Sequence, residues 1–150
     1  MAQKYGHLNS GNLIAELPET KSADVALKSF QDARIQVGEN MAKKFEAAYK
    51  AYVAEAQTGT LSPLQQQERE AALQKQQQEL QAYEQKVVDE VTAKREALYQ
   101  PILEKVQTAI DAVGKEKGYT MIFDTSILVN NPIVYAAEAE DVTALVKAKL

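Results

Sequence analysis

The sequence predicts an α+β fold that is mostly α, with a long antiparallel helical hairpin, a coiled-coil arm, inserted into a small β-rich core built from both ends of the chain. Three observations carry this. Residues 64–100 contain neither Gly nor Pro, and a stretch of that length without a breaker reads as helix. Gly59 followed by Ser62-Pro63-Leu64-Gln65 ends one helix and opens the next. Short stretches that read as strand flank the helical zone on both sides, Lys4–Ser10 before it and the β-rich Tyr119–Asp124 after it. The division that follows is 1–18 plus 118–150 for the β-rich oligomerisation core, and 19–117 for the hairpin arm with its tip near 57–63.

In chain order, Lys4-Tyr5-Gly6-His7-Leu8-Asn9-Ser10 reads as a short strand. The small amphipathic run Leu13-Ile14-Ala15-Glu16-Leu17 follows, capped by Ser10 or Asn12 and stopped by Pro18. Leu27, Phe30, Val37, Met41, Phe45, Ala48 and Tyr52 then recur at steps of three, four or seven. That spacing sets them along one stripe of a helix. Gly38 interrupts the helix at a cost of about 1 kcal/mol relative to Ala, so local flexibility is expected there. Gln57-Thr58-Gly59 ends it. Ser62 as N-cap, Pro63 at the first helical position and Gln65 three residues after the cap form a capping box.

The returning helix carries Leu73, Leu80 and Val87, then Val91, Leu98, Ile102, Val106, Ile110 and Val113. Its stripe is thin in the glutamine-rich stretch near the tip and richer towards residue 113. Pro101 should kink or locally open it, and Gly114 and Gly118 should end it. At 1.5 Å per residue the two helices would run roughly 57 Å and about 80 Å. Tyr119–Asp124 then reads as a strand, Asn130-Asn131-Pro132 as a turn and Ile133–Ala137 as a second strand. Asp141 caps a final helix over 142–150, with Val142, Leu145 and Val146 facing one way.

Composition narrows the function. The chain has no Cys, which excludes disulfides, thiol catalysis and Cys-ligated zinc. A net charge of −4 gives no basic field for nucleic acid. No apolar run approaches the roughly 20 residues that span a bilayer, so no integral membrane segment is expected. No signal-peptide core is visible. His7 lacks the partners that a triad or metal site requires. Asp124 reads as a cap for the turn through Thr125 and Ser126. Glu138, Glu140 and Asp141 read as charges favoured at a helix start, and Glu68, Arg69 and Glu70 as a solvated face. No phosphate loop, catalytic triad or metal motif is present. The expectation is no enzyme, no cofactor and no metal.

Two or three short strands cannot shield both faces of a sheet, so self-association is expected on area grounds, in two or three copies. Leu8, Ile110, Val113, Met121, Ile122, Phe123 and Val134 are the candidate oligomer core. On the arm, burial per turn falls towards the tip, so the helices there should splay more easily. Met41, Phe45, Tyr49, Tyr52, Leu73, Leu80 and Tyr83 are then adaptable groups suited to weak contacts with many partners. Packing between the helices is an equal role for the tyrosines.

The run from Tyr99-Gln-Pro101-Ile102 through Lys105-Val106, Ala109-Ile110, Val113 and Glu116-Lys-Gly118-Tyr119 to Ile122-Phe123-Asp124 resembles the signature of the Skp/OmpH periplasmic chaperones, in which a helix ends at Glu-x-Gly-Tyr and feeds a strand ending in Asp. Asp141-Val142-Thr143 before a short helix fits as well, and the order of elements matches along the chain. The resemblance implies a homotrimer whose β core holds three helical arms around a cavity. It implies ATP-independent holdase activity towards unfolded outer-membrane or other secreted client proteins in the periplasm, with the signal peptide removed. Well-known members are basic, whereas this chain has a pI near 5.1. Residues 39–90 carry six Lys or Arg against nine Asp or Glu, so client capture should lean on apolar and hydrogen-bonding contacts. The rival reading is a passive coiled-coil scaffold or adaptor for one defined partner. A prefoldin-like chaperone also joins a β core to helical arms, but there the strands lie between the helices, and here they flank them.

Overall fold

The computed structural model describes residues 3–127 and 131–150. Its elements are β1 (Tyr5–Leu8), α1 (Ser10–Glu16), α2 (Pro18–Gln57), α3 (Pro63–Lys117), β2 (Met121–Asp124), a 3-10 turn (Glu138–Glu140) and α4 (Thr143–Lys147). Helix makes up 76% of it, so the mostly-α class with strands from both chain ends is the observed one. The chain divides into two compact units, one of Met1–Ala26 with Glu96–Leu150 and the other of Leu27–Arg95.

In the first unit β1 and β2 pair in parallel, Tyr5 opposite Met121 and Leu8 opposite Asp124. On its other side β1 bridges to Asp141 through His7, and the Val142 N–H donates to the His7 carbonyl at 2.9 Å. β1 is therefore the middle of a narrow sheet. Alternation along the strand turns Gly6 and Leu8 inward and leaves Tyr5 exposed. Gly6 is required by close approach, because a Cβ there would lie 2.9 Å from Val142 Cγ1 and 3.0 Å from the Tyr119 ring.

The core beneath the sheet joins Leu8, Leu13, Leu17 and Ala23 to Ile102, Val106, Ala109 and Val113 of α3, and to Val142 and Val146. The four α3 residues recur at steps of four, three and four, which keeps one helix face on the core. The cap of α1 is Asn9, whose side chain accepts from the Asn12 N–H at 2.8 Å, and not Ser10 or Asn12 as expected. Ser10 is already helical, and only the residue before it has the extended backbone a cap needs. Pro18 both follows the end of α1 and opens α2, where its missing N–H costs nothing. At the end of α3, Gly118 takes φ +70 and the Tyr119 N–H returns to the Gly114 carbonyl at 3.0 Å, a left-handed termination that releases the chain into β2.

Three expectations for the C-terminal zone are corrected. Ile133–Ala137 forms no strand. β1 already has a partner on each side, and the Ala137 carbonyl is held by His7 Nε2 at 2.9 Å, so this stretch finds no ladder along β1 and leaves Val134 96% and Tyr135 85% exposed. Asp141 does not cap the helix directly. Its carboxylate accepts from the Thr143 N–H at 2.7 Å while Val142 holds the cap position, and α4 is only five residues long. Val142 and Val146 are fully buried, but Leu145 is 38% exposed; Val142 sits at the cap with non-helical backbone, so the i, i+3 spacing does not bring Leu145 onto the same buried face. Of the expected turn, Asn130 lies outside the described residues.

In the second unit α2 ends at Gln57, and Gly59 takes φ +68. The capping box is present as read: the Ser62 N–H donates to Gln65 Oε1 at 2.9 Å and the Gln65 N–H to Ser62 Oγ at 3.3 Å. Between 27 and 57 the half-buried stripe of α2 is Phe30, Arg34, Gly38, Met41, Phe45, Ala48 and Tyr52. Val37 is exposed instead. Packing Val37 would swing the stripe off Arg34 and Gly38, which the partner helix needs. On α3 the stripe is Leu73, Gln76, Leu80, Tyr83, Val87 and Glu90, in strict three-four alternation.

Candidate functional site

The seam of the second unit has polar groups where a coiled coil would place apolar ones. Its middle is a clasp around Arg34. The Arg34 guanidinium lies over the Phe30 ring, 3.7 Å from its centroid, and Arg34 Nε donates to Glu90 Oε2 at 3.1 Å. The Tyr83 hydroxyl donates to the Arg34 carbonyl at 3.0 Å. Gly38 gives the Tyr83 ring its place, since a Cβ there would stand 3.5 Å from Cε1. Towards the tip a second pair of contacts closes the hairpin. Tyr52 donates to Glu70 at 2.6 Å and Arg69 to Glu55 at 3.2 Å. The Glu70 carboxylate raises the Tyr52 pKa by accepting a hydrogen bond from its protonated hydroxyl.

Between the clasps, Met41, Phe45 and Ala48 of α2 and Leu73 and Leu80 of α3 are half-buried. Gln76 shares their stripe, and its Oε1 is buried without a hydrogen-bond partner among the described residues. Of the arm residues singled out in the sequence, six therefore lie in this seam. Tyr49 does not; it is exposed and stacks beside Phe45, ring centroids 6.4 Å apart. Arg34, Gln76 and Glu90 were missed by a reading that sought apolar residues. The heptad set by Leu73, Leu80 and Val87 points to 76, 83 and 90 as its intervening positions, and that signal could have found two of them.

The first unit presents a different surface. Tyr5, Met121 and Phe123 line the outer side of the two-stranded sheet, with Tyr5 and Phe123 rings 6.1 Å apart. Met121 is 54% and Phe123 40% exposed. Together with Ile133, Val134 and Tyr135 they border an apolar cleft of about 560 Å³. Leu8 and Val113, by contrast, are each 1% exposed within this one chain and belong to its own core. Ile110 and Ile122 are half-buried against that core.

The carboxylates considered for chemistry have structural partners. Asp124 accepts from the Ser10 N–H, the Ser10 hydroxyl and the Ser126 N–H. Burial pushes its carboxyl up, but those hydrogen bonds outweigh it and hold the pKa below the usual range. Hydrogen bonding from Thr143 lowers Asp141 likewise, aided by the nearby His7. Among the described residues, no three His, Asp or Glu side chains come together to hold a metal ion. No helix there is long and apolar enough to cross a membrane.

A sheet joining both chain ends, an inserted hairpin with a half-polar seam and an uncovered apolar sheet face together define a helical-arm protein of the OmpH-like architecture. The model of the family described as outer membrane protein (OmpH-like) matches residues 4–150, and the chain belongs to that family. It is similar to the chaperone protein Skp of Pectobacterium atrosepticum, 25% identical over 145 residues, covering 95% of this chain and 82% of the relative. Among solved structures it resembles an OmpH-like outer membrane chaperone of Caulobacter crescentus CB15, with a TM-score of 0.75 at 19% identity over 99% of this chain and 83% of the other.

Proposed function

We propose that this chain is an ATP-independent holdase chaperone that binds unfolded outer-membrane proteins in the periplasm and keeps them from aggregating. Membership of the OmpH-like family and similarity to a protein named a chaperone support the class. The observation that carries the mechanism is the seam between the clasps, where Met41, Phe45, Leu73 and Leu80 are only half-buried and a glutamine interrupts them. Apolar groups held that loosely can exchange one another for a client's side chains at small net cost. Tyr49, already exposed, adds an amphipathic contact. The working form is a homotrimer in which copies cover the face of Tyr5, Met121, Phe123 and Val134; Leu8 and Val113 support that face from beneath.

The directed contacts at Arg34 favour a second reading, a scaffold that holds one partner in one register, because oriented polar groups specify geometry. Dilution of a urea-unfolded β-barrel protein into buffer separates the two. The holdase suppresses its light scattering at stoichiometric amounts without nucleotide, and replacing Tyr49, Tyr52 and Tyr83 by Ser weakens that protection while the oligomer persists. No protection at any ratio would leave the scaffold.

A further inference from the structure

The hairpin is held by polar contacts at two levels and by little between them. Arg34, Tyr83 and Glu90 form one level, and Tyr52 with Glu70 and Arg69 with Glu55 form the other. The intervening stretch closes on Gln76 Oε1, which is buried with no partner among the described residues. Closure there strips an amide oxygen of water and returns no hydrogen bond, so parting the helices regains hydration. Ala48 opposite the thin part of α3 contributes little burial. The tip clasp also buries an oxygen without a hydrogen bond, Glu55 Oε2, but that oxygen lies 3.2 Å from Arg69 Nη2, whose charge offsets the lost hydration. Gln76 has no such neighbour among the described residues.

We propose that the hairpin opens as an eyelet between its two clasps, over residues 39–51 and 71–82, and does not unzip from its tip. An apolar client segment then enters sideways, against Met41, Phe45, Leu73 and Leu80. Gln76 is the residue that sets the opening, and Gly38 fixes its limit by letting Tyr83 reach the Arg34 carbonyl. The client half of this inference rests on the holdase reading, whereas the opening does not.

Amide hydrogen exchange of the full chain without client tests the opening by itself. The expected profile has faster exchange at 41–48 and 73–80 than at 27–37 on one side and 50–56 on the other. Gln76→Leu fills the seam with an apolar side chain and should slow exchange in the middle stretch about tenfold, as removal of one unsatisfied buried oxygen predicts. Exchange that rises steadily towards residue 57, unchanged by Gln76→Leu, would overturn the eyelet. Scattering assays on the same variant test the client half. Slower exchange with weaker client protection supports lateral entry, and slower exchange with undiminished protection rejects it while leaving the eyelet in place.

Discussion

Asp124, the last residue of β2, holds the N–H of Ser10, the first residue of α1, at 3.1 Å across 114 positions of sequence. With Asn9 on the Asn12 N–H, two free donors of the first turn of α1 are satisfied, one locally and one by the other end of the chain. The carboxylate is thus a staple between the chain's two ends.

Because hydrogen bonds lower the Asp124 pKa in the folded chain, its contribution is present above the ordinary value of 3.8 and lost as the pH falls through the folded pKa. Asp124→Asn keeps an acceptor but loses the charge on it, and should cost about 1 kcal/mol near neutrality, the difference between a charge-assisted and a neutral hydrogen bond. Urea unfolding of both proteins checks this, and the gap should close on acidification. A gap that does not narrow at all as the pH is lowered below 3.8 would show that ionisation of Asp124 is not its source.

Two glycines should respond differently to the same substitution. Gly6→Ala meets Val142 and Tyr119 inside the core and should destabilise by about 1–3 kcal/mol through overpacking. Gly59→Ala meets nothing within 4 Å, so only its left-handed backbone is penalised, by about 1–2 kcal/mol. A further change to Val separates them: it should sharply worsen position 6. At position 59 it adds the strain of a β-branched side chain on a left-handed backbone, with no core packing to disrupt. Thermal unfolding of the four variants would show it.

The Arg34–Glu90 pair is about one third exposed on each side, so its net coupling should be modest, about 0.5 kcal/mol in a double-mutant cycle. It should fade at about 1 M salt. Tyr83→Phe removes the hydroxyl and keeps the ring in the space left by Gly38, so its effect should be indifferent to salt. Equal salt sensitivity of both would deny that the clasp has separate ionic and neutral parts.

Residues of the sheet face and of the core should behave as distinct groups. Phe123→Asp with Val134→Asp should release monomers in sedimentation while far-ultraviolet dichroism keeps its helical shape. Leu8→Ala, 1% exposed, should instead cost the chain about 2–5 kcal/mol. Intact oligomers in the double aspartate variant would move the interface elsewhere.

Local signals were legible in the sequence where a few neighbouring residues decide the outcome. The Ser62–Gln65 box and the left-handed ends at Gly59 and Gly118 depend on contacts within about six residues, and each stands where it was read. What escaped depends on distant partners. Ile133-Val134-Tyr135 has strand propensity, yet a strand exists only beside a free edge, and β1 has none left. Val37 and Gly38 are adjacent, and hydrophobicity selects the valine; only the Tyr83 ring on another helix explains why the glycine faces inward. Leu8 and Val113 read as sticky, but no spacing rule says whether a neighbour in the same chain or in another copy will cover them.

Because β1 and β2 come from opposite ends of the polypeptide and run in parallel, the sheet has no hairpin precursor. Synthesis delivers β1 long before its partner, and in the interval Leu8 lacks the α3 residues Ile102, Val106, Ala109 and Val113 that share its core. Helical turns near residue 60 can form on local information within microseconds, whereas joining the ends must await closure of the longest loop the chain possesses. Closure of the sheet is thereby postponed until each molecule has been made through β2, a timing rule written into strand order alone.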